Sequence, residues 1–283
     1  MQPETFASLW PLLRRAKRAH LQGWGEPLLN PDFFRFQELA AKAGCRTSIT
    51  TSGLLMNEDI ARRIVNSGMD IVAFSLAGTD SASNSARPGV PFEKVCESIH
   101  ILRKTIRESQ RETVPEIHLA YLMLADRMDA AIRLPWLMEE LDIDMTVIST
   151  LDYLSVPEHR HLALHNNDDY AIAEAKALLK DVKSRASANG RAVHYALPSA
   201  EPAPEGCREN ISRTVYIDAD GFISPCVYLD SPGKVQERRV FGNAREADPL
   251  SIWHGEEFRA FRRNLLAGQP EDACVACPKR WEK

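Results

Sequence analysis

The sequence predicts an α/β fold, a partial parallel barrel of the (β/α)6 type followed by a small domain of different character. Helix and strand patterns alternate over the first two thirds of the chain, as a parallel sheet with helical crossovers requires. From residue 207 onward the pattern changes, and four of the six cysteines lie in these last 77 residues. At about 150 residues per domain, 283 residues are enough for a barrel and an appendage.

The elements of the barrel follow from apolar spacing and from capping residues. Asn57 and Gly68 are suited to begin and end one helix, and Gly44 to end another. The predicted helices lie over 3–18, 33–43, 57–68, 91–108, 127–141 and 168–187. The five visible strands are the segments AHLQG, CRTSITTSG, MDIVAFSLAG, EIHLAYLML and DMTVISTL.

The C-terminal third divides into a linker and a second domain. Residues 196–206 are rich in proline and alanine, which predicts a linker between a barrel over 1–195 and a domain over 207–283. In that domain, Asp-Ala-Asp-Gly lies between two β-prone runs and predicts a β-hairpin. A helix is expected over about 249–267, just before the Cys-Val-Ala-Cys sequence.

Composition excludes several classes of protein. The net charge of −4 lacks the basic excess typical of nucleic-acid binders. No run of 18 apolar residues and no basic-then-apolar leader is present, so we expect neither a membrane partner nor secretion, and the expected compartment is the cytoplasm. In a reducing compartment, six cysteines are metal ligands or buried thiols rather than a disulfide scaffold.

Four cysteines form a candidate metal site. Eighteen residues separate Cys207 from Cys226, 47 separate Cys226 from Cys274, and two separate Cys274 from Cys277. A Cys-x-x-Cys pair directs two thiolates from one turn to one metal centre. Four thiolates from three segments suit a tetrahedral zinc ion or a 4Fe-4S cluster. The single Cys-x-x-Cys favours the cluster, because a zinc ribbon usually has two such pairs.

Small and polar residues follow the predicted strands. Ligands of parallel α/β proteins bind at the carboxyl ends of strands, where glycine lets a ligand approach the backbone. The carboxylate at this edge can accept from an ammonium group, and the hydroxyls can donate to a carboxylate or a ribose. Asp152 and Tyr153 follow the last barrel strand and are candidates for proton transfer. The candidate ligand-binding residues are Gly23, Gly25, Glu26, Thr51, Ser52 and Ser75.

The same segments resemble the radical S-adenosylmethionine (SAM) superfamily. HLQGWGEPLLNPDF, ITTSG and IVAFSLAG are similar to its second, third and fourth strand motifs. The tail, with its four cysteines, Asp-Gly221 and Trp253, resembles the twitch or SPASM auxiliary-cluster domain. The resemblance implies that Gly23, Gly25 and Glu26 hold the amino group of SAM and that Ser75 contacts its methionine or ribose part. It also implies that the four tail cysteines bind one auxiliary 4Fe-4S cluster.

One motif of the superfamily is not found. The Cys-x3-Cys-x2-Cys loop that holds its catalytic 4Fe-4S cluster occurs nowhere in the 283 residues. Residue 1 corresponds to the first crossover, so we expect a barrel without its first strand, a chain incomplete at its N-terminus and no SAM cleavage by this polypeptide alone. If an upstream segment exists, a second 4Fe-4S cluster with SAM is implied.

The resemblance implies an oxidoreductase or maturase of radical SAM type. Its partners would be a peptide, protein or small-molecule substrate and an electron donor. The alternative is a non-catalytic iron–sulfur or zinc protein that retains a relic barrel and binds a partner through the tail.

Overall fold

The computed structural model describes residues 1–152, 157–166, 169–202, 206–230, 238–275 and 277–282. Its main sheet has six strands, all parallel, in the order of the sequence. The curled sheet with helices packed on its outer face confirms the predicted α/β half-barrel. These strands are β1 Arg18–His20, β2 Arg46–Thr51, β3 Ile71–Leu76, β4 Glu116–Met123, β5 Met145–Thr150 and β6 Ala192–Tyr195.

The sixth strand corrects the predicted count of five. Val193 pairs with Thr146 and Tyr195 with Ile148, so the segment after the long helix completes the sheet. Four residues are too few to show a clear alternation in the sequence. The pairing with β5 identifies this segment as a strand, and Val193 is buried in the sheet at 3% exposed.

Helices cover the outer face of the sheet and form much of the tail. Asn57 and Gly68 cap a helix as predicted: the Asn57 side chain accepts from the Ile60 N–H, and Gly68 is left-handed at φ 71°. The helices are α1 Pro3–Ala7, α2 Trp10–Leu13, α3 Phe33–Lys42, α4 Glu58–Ser67, α5 Phe92–Glu108, α6 Leu134–Glu140, α7 Asp169–Ala188, α8 Pro249–His254, α9 Glu256–Leu266 and α10 Asp272–Val275.

Three predicted helices are interrupted. The predicted helix over 3–18 is the pair α1 and α2, and Pro11 lies in the first turn of α2, where its missing N–H costs least. The 127–141 segment is a 3-10 helix, Ala125–Arg133, followed by α6, again with a proline in the first turn. Gly255 separates α8 from α9.

The strands have one buried and one accessible face. In β3, Val72, Phe74 and Leu76 are fully buried against the helices, whereas Ala73 and Ser75 are half-buried on the concave face. The same alternation runs through β2 and β5. A sheet of this kind keeps its apolar core outside the half-barrel and leaves the concave face for a ligand.

The tail domain packs against the first three helices. The hairpin Tyr216–Ile217 (β8) and Phe222–Ser224 (β9) is confirmed, and Gly242–Asn243 (β10) adds a third strand beside β9. A second hydrophobic core contains residues of both the first three helices and the tail domain. In it, Phe6 is stacked on Phe36 at 4.5 Å between ring centroids. The tail residues of that core include Ile211, Ile223, Phe258, Phe261 and Leu265.

Part of the predicted linker is a strand. Pro198–Pro202 (β7) pairs antiparallel with Trp281–Glu282 (β11) near the end of the chain. A two-stranded ribbon consists of edge strands, which tolerate proline because one side of each needs no N–H donor. In the described ranges, no helix is long and apolar enough to cross a membrane.

Candidate functional site

The centre of the site is the carboxylate of Glu26, which lies beyond the carboxyl end of β1. Its Oε1 atom accepts from the Thr51 hydroxyl at 2.8 Å, and its Oε2 atom accepts from the backbone N–H and the hydroxyl of Ser52, both at 2.7 Å. A further bond from the Leu28 N–H at 3.3 Å caps the short 3-10 helix that follows. The structure therefore brings three of the predicted site residues together in one network.

The two glycines of the same loop have different surroundings. A side chain at Gly25 would meet no atom within 4 Å, so open space adjoins the backbone there. A Cβ at Gly23 would lie 3.1 Å from the Tyr216 hydroxyl of the tail. The intervening Trp24 donates its indole N–H to the Asp230 carbonyl at 3.1 Å. The loop thus has one side open to a ligand and the other against the tail domain.

Ser75 lies two strands away, near the end of β3, and is linked to a cation that the sequence analysis missed. The Arg87 guanidinium donates to the Ser75 carbonyl. Burial lowers the pKa of Arg87, and the negative charge of Glu26 partly opposes this effect. Arginine remains protonated in any protein environment. A carboxylate and a guanidinium, close enough to interact electrostatically, therefore adjoin the carboxyl ends of β1 to β3.

The loop after β3 explains why the sequence did not reveal Arg87. Asn84 closes this loop: its Oδ1 atom accepts from the Ala77 N–H at 2.9 Å and its Nδ2 atom donates to the Val90 carbonyl at 3.0 Å. A Cβ at Gly78 would come within 2.2 Å of the Asn84 nitrogen, so only glycine permits this close turn. The position of Arg87 depends on that fold-back, and an arginine in a loop carries no local signal.

The four tail cysteines are free thiols. The Arg208 N–H donates to the Lys279 carbonyl at 2.8 Å, which joins the chain after Cys207 to the chain after Cys277. Burial raises the pKa of every one of these thiols, to about 12 for Cys226 and for Cys274. The charge of Cys207 contributes to the raised pKa of both, so three chain segments converge.

The chemistry of this donor set suits an iron–sulfur cluster. Four sulfur donors are the usual ligand set of a 4Fe-4S cluster, which is wider than a single ion and binds a thiolate at each iron. Among the residues that the structure describes, no three His, Cys, Asp or Glu side chains converge closely enough to hold a single metal ion.

Asp152 has an environment that the sequence did not predict. It is almost fully buried, and its carboxylate lies 2.9 Å from the Lys279 ammonium. Tyr153, the other candidate for proton transfer, lies outside the described residues.

The fold and the site define an α/β half-barrel with a ligand-binding edge and a thiol-bearing tail, and two family profiles match these two parts. The profile of the radical SAM superfamily matches residues 8–116, and that of the SPASM iron–sulfur cluster-binding domain matches residues 207–278. The chain therefore carries a radical SAM domain followed by a SPASM domain. These domains imply 4Fe-4S clusters and SAM as cofactors.

Individual relatives are distant but cover most of the chain. A tungsten-containing aldehyde ferredoxin oxidoreductase cofactor-modifying protein of Pyrococcus furiosus is 24% identical over 93% of this chain and 74% of its own length. An AdoMet-dependent heme synthase of Methanosarcina barkeri is 23% identical over 84% and 69%. The structure of anSMEcpe with bound AdoMet and Cp18Cys peptide is 16% identical, with a TM-score of 0.68 over 98% of this chain and 78% of that one. This similarity supports the fold.

Proposed function

We propose that this protein is an oxidoreductase or maturase of radical SAM type, with an auxiliary 4Fe-4S cluster on Cys207, Cys226, Cys274 and Cys277. The observation that carries the proposal is the pair of opposite charges at the carboxyl ends of β1 to β3. The amino-acid part of SAM bears an ammonium and a carboxylate. Glu26 and Arg87 are a complementary carboxylate and guanidinium, separated by the polar ends of the strands.

Each residue of the site has a distinct task in this proposal. The Glu26 carboxylate, fixed by Thr51 and Ser52, orients the ammonium of SAM. The Arg87 guanidinium binds the carboxylate, and Gly25 leaves room for the ligand beside the backbone. Ser75, half-buried on the concave face, contacts the methionine or ribose part. SAM, together with a 4Fe-4S cluster, supplies one-electron chemistry at an otherwise unreactive C–H bond.

The tail cysteines lie beside the same site, because the tail adjoins the loop of Gly23, Trp24 and Gly25. Trp24 is in edge contact with Tyr228 at 6.4 Å between ring centroids, and Tyr228 is two residues from Cys226. A substrate on the concave face would therefore lie between the proposed SAM site and the auxiliary cluster. The relatives include a cofactor-modifying protein and a heme synthase, and one similar solved structure holds a bound peptide. The substrate class we propose is accordingly a peptide, a protein or a metabolite, with an external electron donor.

Anaerobic reconstitution followed by reduction in the presence of SAM tests the proposal. From residues 1–283 alone we expect cluster iron on the tail, weak but saturable SAM binding and no 5′-deoxyadenosine, because these residues lack the Cys-x3-Cys-x2-Cys loop. A chain extended by an upstream segment that carries this loop should form 5′-deoxyadenosine, and an inactive extended chain with intact cysteines would favour the non-catalytic alternative. Stoichiometric zinc with no iron would refute the auxiliary cluster.

A further inference from the structure

A cluster of four charged side chains, three of them largely buried, joins the barrel to the tail. Asp152, which follows β5, is 3% exposed at its side chain, and its Oδ1 atom accepts from the Thr150 hydroxyl at 2.7 Å. Its Oδ2 atom lies 2.9 Å from the Lys279 ammonium and 4.0 Å from the Arg208 guanidinium. One carboxylate of the barrel thus faces two cations of the tail.

Both cations belong to the loops that carry the cysteines. Arg208 directly follows Cys207, and Lys279 is two residues beyond Cys277. The two loops are also joined by the hydrogen bond from the Arg208 backbone N–H to the Lys279 carbonyl. Glu209 completes the set, with its Oε1 atom 3.3 Å from the Lys279 ammonium. Two positive and two negative groups therefore balance next to the thiols.

Because most of these charged side chains are shielded from solvent, the balance between their charges affects the position of the two loops. A buried charge without its partner is strongly unfavourable, so removal of one member affects the position of the others. An iron–sulfur cluster gains a negative charge on reduction, and nearby charges and solvent exposure shift its potential. Asp152 can therefore influence a cluster on the tail in two ways, through the position of the loops and through their net charge.

We propose that Asp152 is a positioning residue that holds the loops of Cys207 and Cys277 against the carboxyl end of β5 and compensates their positive charge. This inference rests on the proposed ligation of the auxiliary cluster by the tail. It assigns to Asp152 a structural and electrostatic effect on the cluster, without contact to substrate.

The test compares single substitutions of opposite electrostatic effect in the reconstituted full chain. Asp152→Asn leaves an uncompensated positive charge, so we expect the reduction potential of the cluster to rise. Lys279→Met leaves an excess of negative charge, so we expect the potential to fall. Asp142→Asn is the matched control, because Asp142 is paired with arginines at the opposite end of β5. It should leave the potential unchanged.

Hydrogen exchange separates the two parts of the proposal. Asp152→Asn should speed amide exchange at residues 206–209 and 277–280, whereas Asp142→Asn should not. Shifts of the same sign for Asp152→Asn and Lys279→Met, or exchange rates equal to wild type, would overturn the inference. A wild-type protein without iron would refute the proposed cluster and the charge effect, and exchange would still decide the positioning effect.

Discussion

Glu26 and Ser52 are joined by two hydrogen bonds of 2.7 Å, one from the Ser52 backbone and one from its hydroxyl, to the same carboxylate oxygen. The two residues lie beyond the ends of neighbouring strands, β1 and β2. The network fixes the orientation of the carboxylate before any ligand arrives. Pre-organisation of this kind lowers the entropic cost of binding.

Substitution of Glu26 by glutamine should weaken SAM binding. The amide of glutamine places an N–H donor in a network that offers only donors, and it removes the negative charge that would pair with the ammonium of SAM. We expect a loss of about 2 kcal/mol, or roughly 30-fold in affinity. Isothermal titration of the reconstituted protein measures this loss. The exposed Glu38→Gln is the control, and equal affinities of the two variants would contradict the assignment.

Replacement of Cys226 by serine should remove most of the iron. In the proposed site one thiolate binds each iron of the 4Fe-4S cluster, so loss of a ligand should lower the iron from about four atoms per tail to less than one. The tail should also become less stable, because metal binding and folding are coupled in small metal domains. Iron analysis and visible absorbance measure the loss. Cys96→Ser, on α5 and away from the tail thiols, should retain the iron, and full iron in Cys226→Ser would refute the ligand set.

Much of the site could be predicted because it follows short-range patterns. Glu26, Thr51 and Ser52 each stand at the end of a recognisable strand, and parallel strands place such residues at one edge. The structure confirms that these three residues interact. The cysteines were visible as candidates because four of the six lie in the last 77 residues and two of them form a Cys-x-x-Cys pair.

The interactions that sequence analysis missed are long-range. Arg87 reaches Ser75 only because the loop after β3 folds back through Asn84. The pairing of Asp152 with Lys279 joins residues more than a hundred positions apart. The same limit applies to β7, whose strand conformation depends on pairing with the end of the chain. Partners of this kind become evident only when the tertiary packing is known.

Gly221→Ala should destabilise the tail domain. Gly221 is left-handed at φ 90°, and a Cβ there would lie 2.9 Å from the Asn243 Oδ1 atom and 3.0 Å from the Thr5 Cγ2 atom. Backbone strain and this clash together should cost about 2 kcal/mol or more. Gly190→Ala provides the comparison, because Gly190 has φ 70° with no atom within 4 Å of the added Cβ, so strain alone should cost about 1 kcal/mol. Urea unfolding measures both, and equal losses would show that the tail contacts of Gly221 are unimportant.

Asp142→Asn should lower the free energy of unfolding in a pH-dependent way. A hydrogen bond from Arg191 lowers the pKa of Asp142; burial opposes this, and Arg103 and Arg107 reinforce it. A lowered pKa in the folded state stabilises the protein above the unfolded-state pKa of about 4, and this contribution disappears as the pH falls through the folded-state pKa. Since the side chain is 39% exposed, solvent screening limits the loss at pH 7 to about 1 kcal/mol or less.

Asp142→Asn removes the charge at residue 142 and leaves the backbone conformation unchanged. Asp142 has φ 54°, and asparagine tolerates the left-handed region about as well as aspartate does. The difference between wild type and Asp142→Asn in urea unfolding should therefore be constant from about pH 7 to pH 5 and shrink below about pH 4. Asp59→Asn, in a highly exposed pair with Arg62, should change stability very little at any of these pH values. A difference for Asp142→Asn that grew on acidification would mean that its charged form does not stabilise the fold.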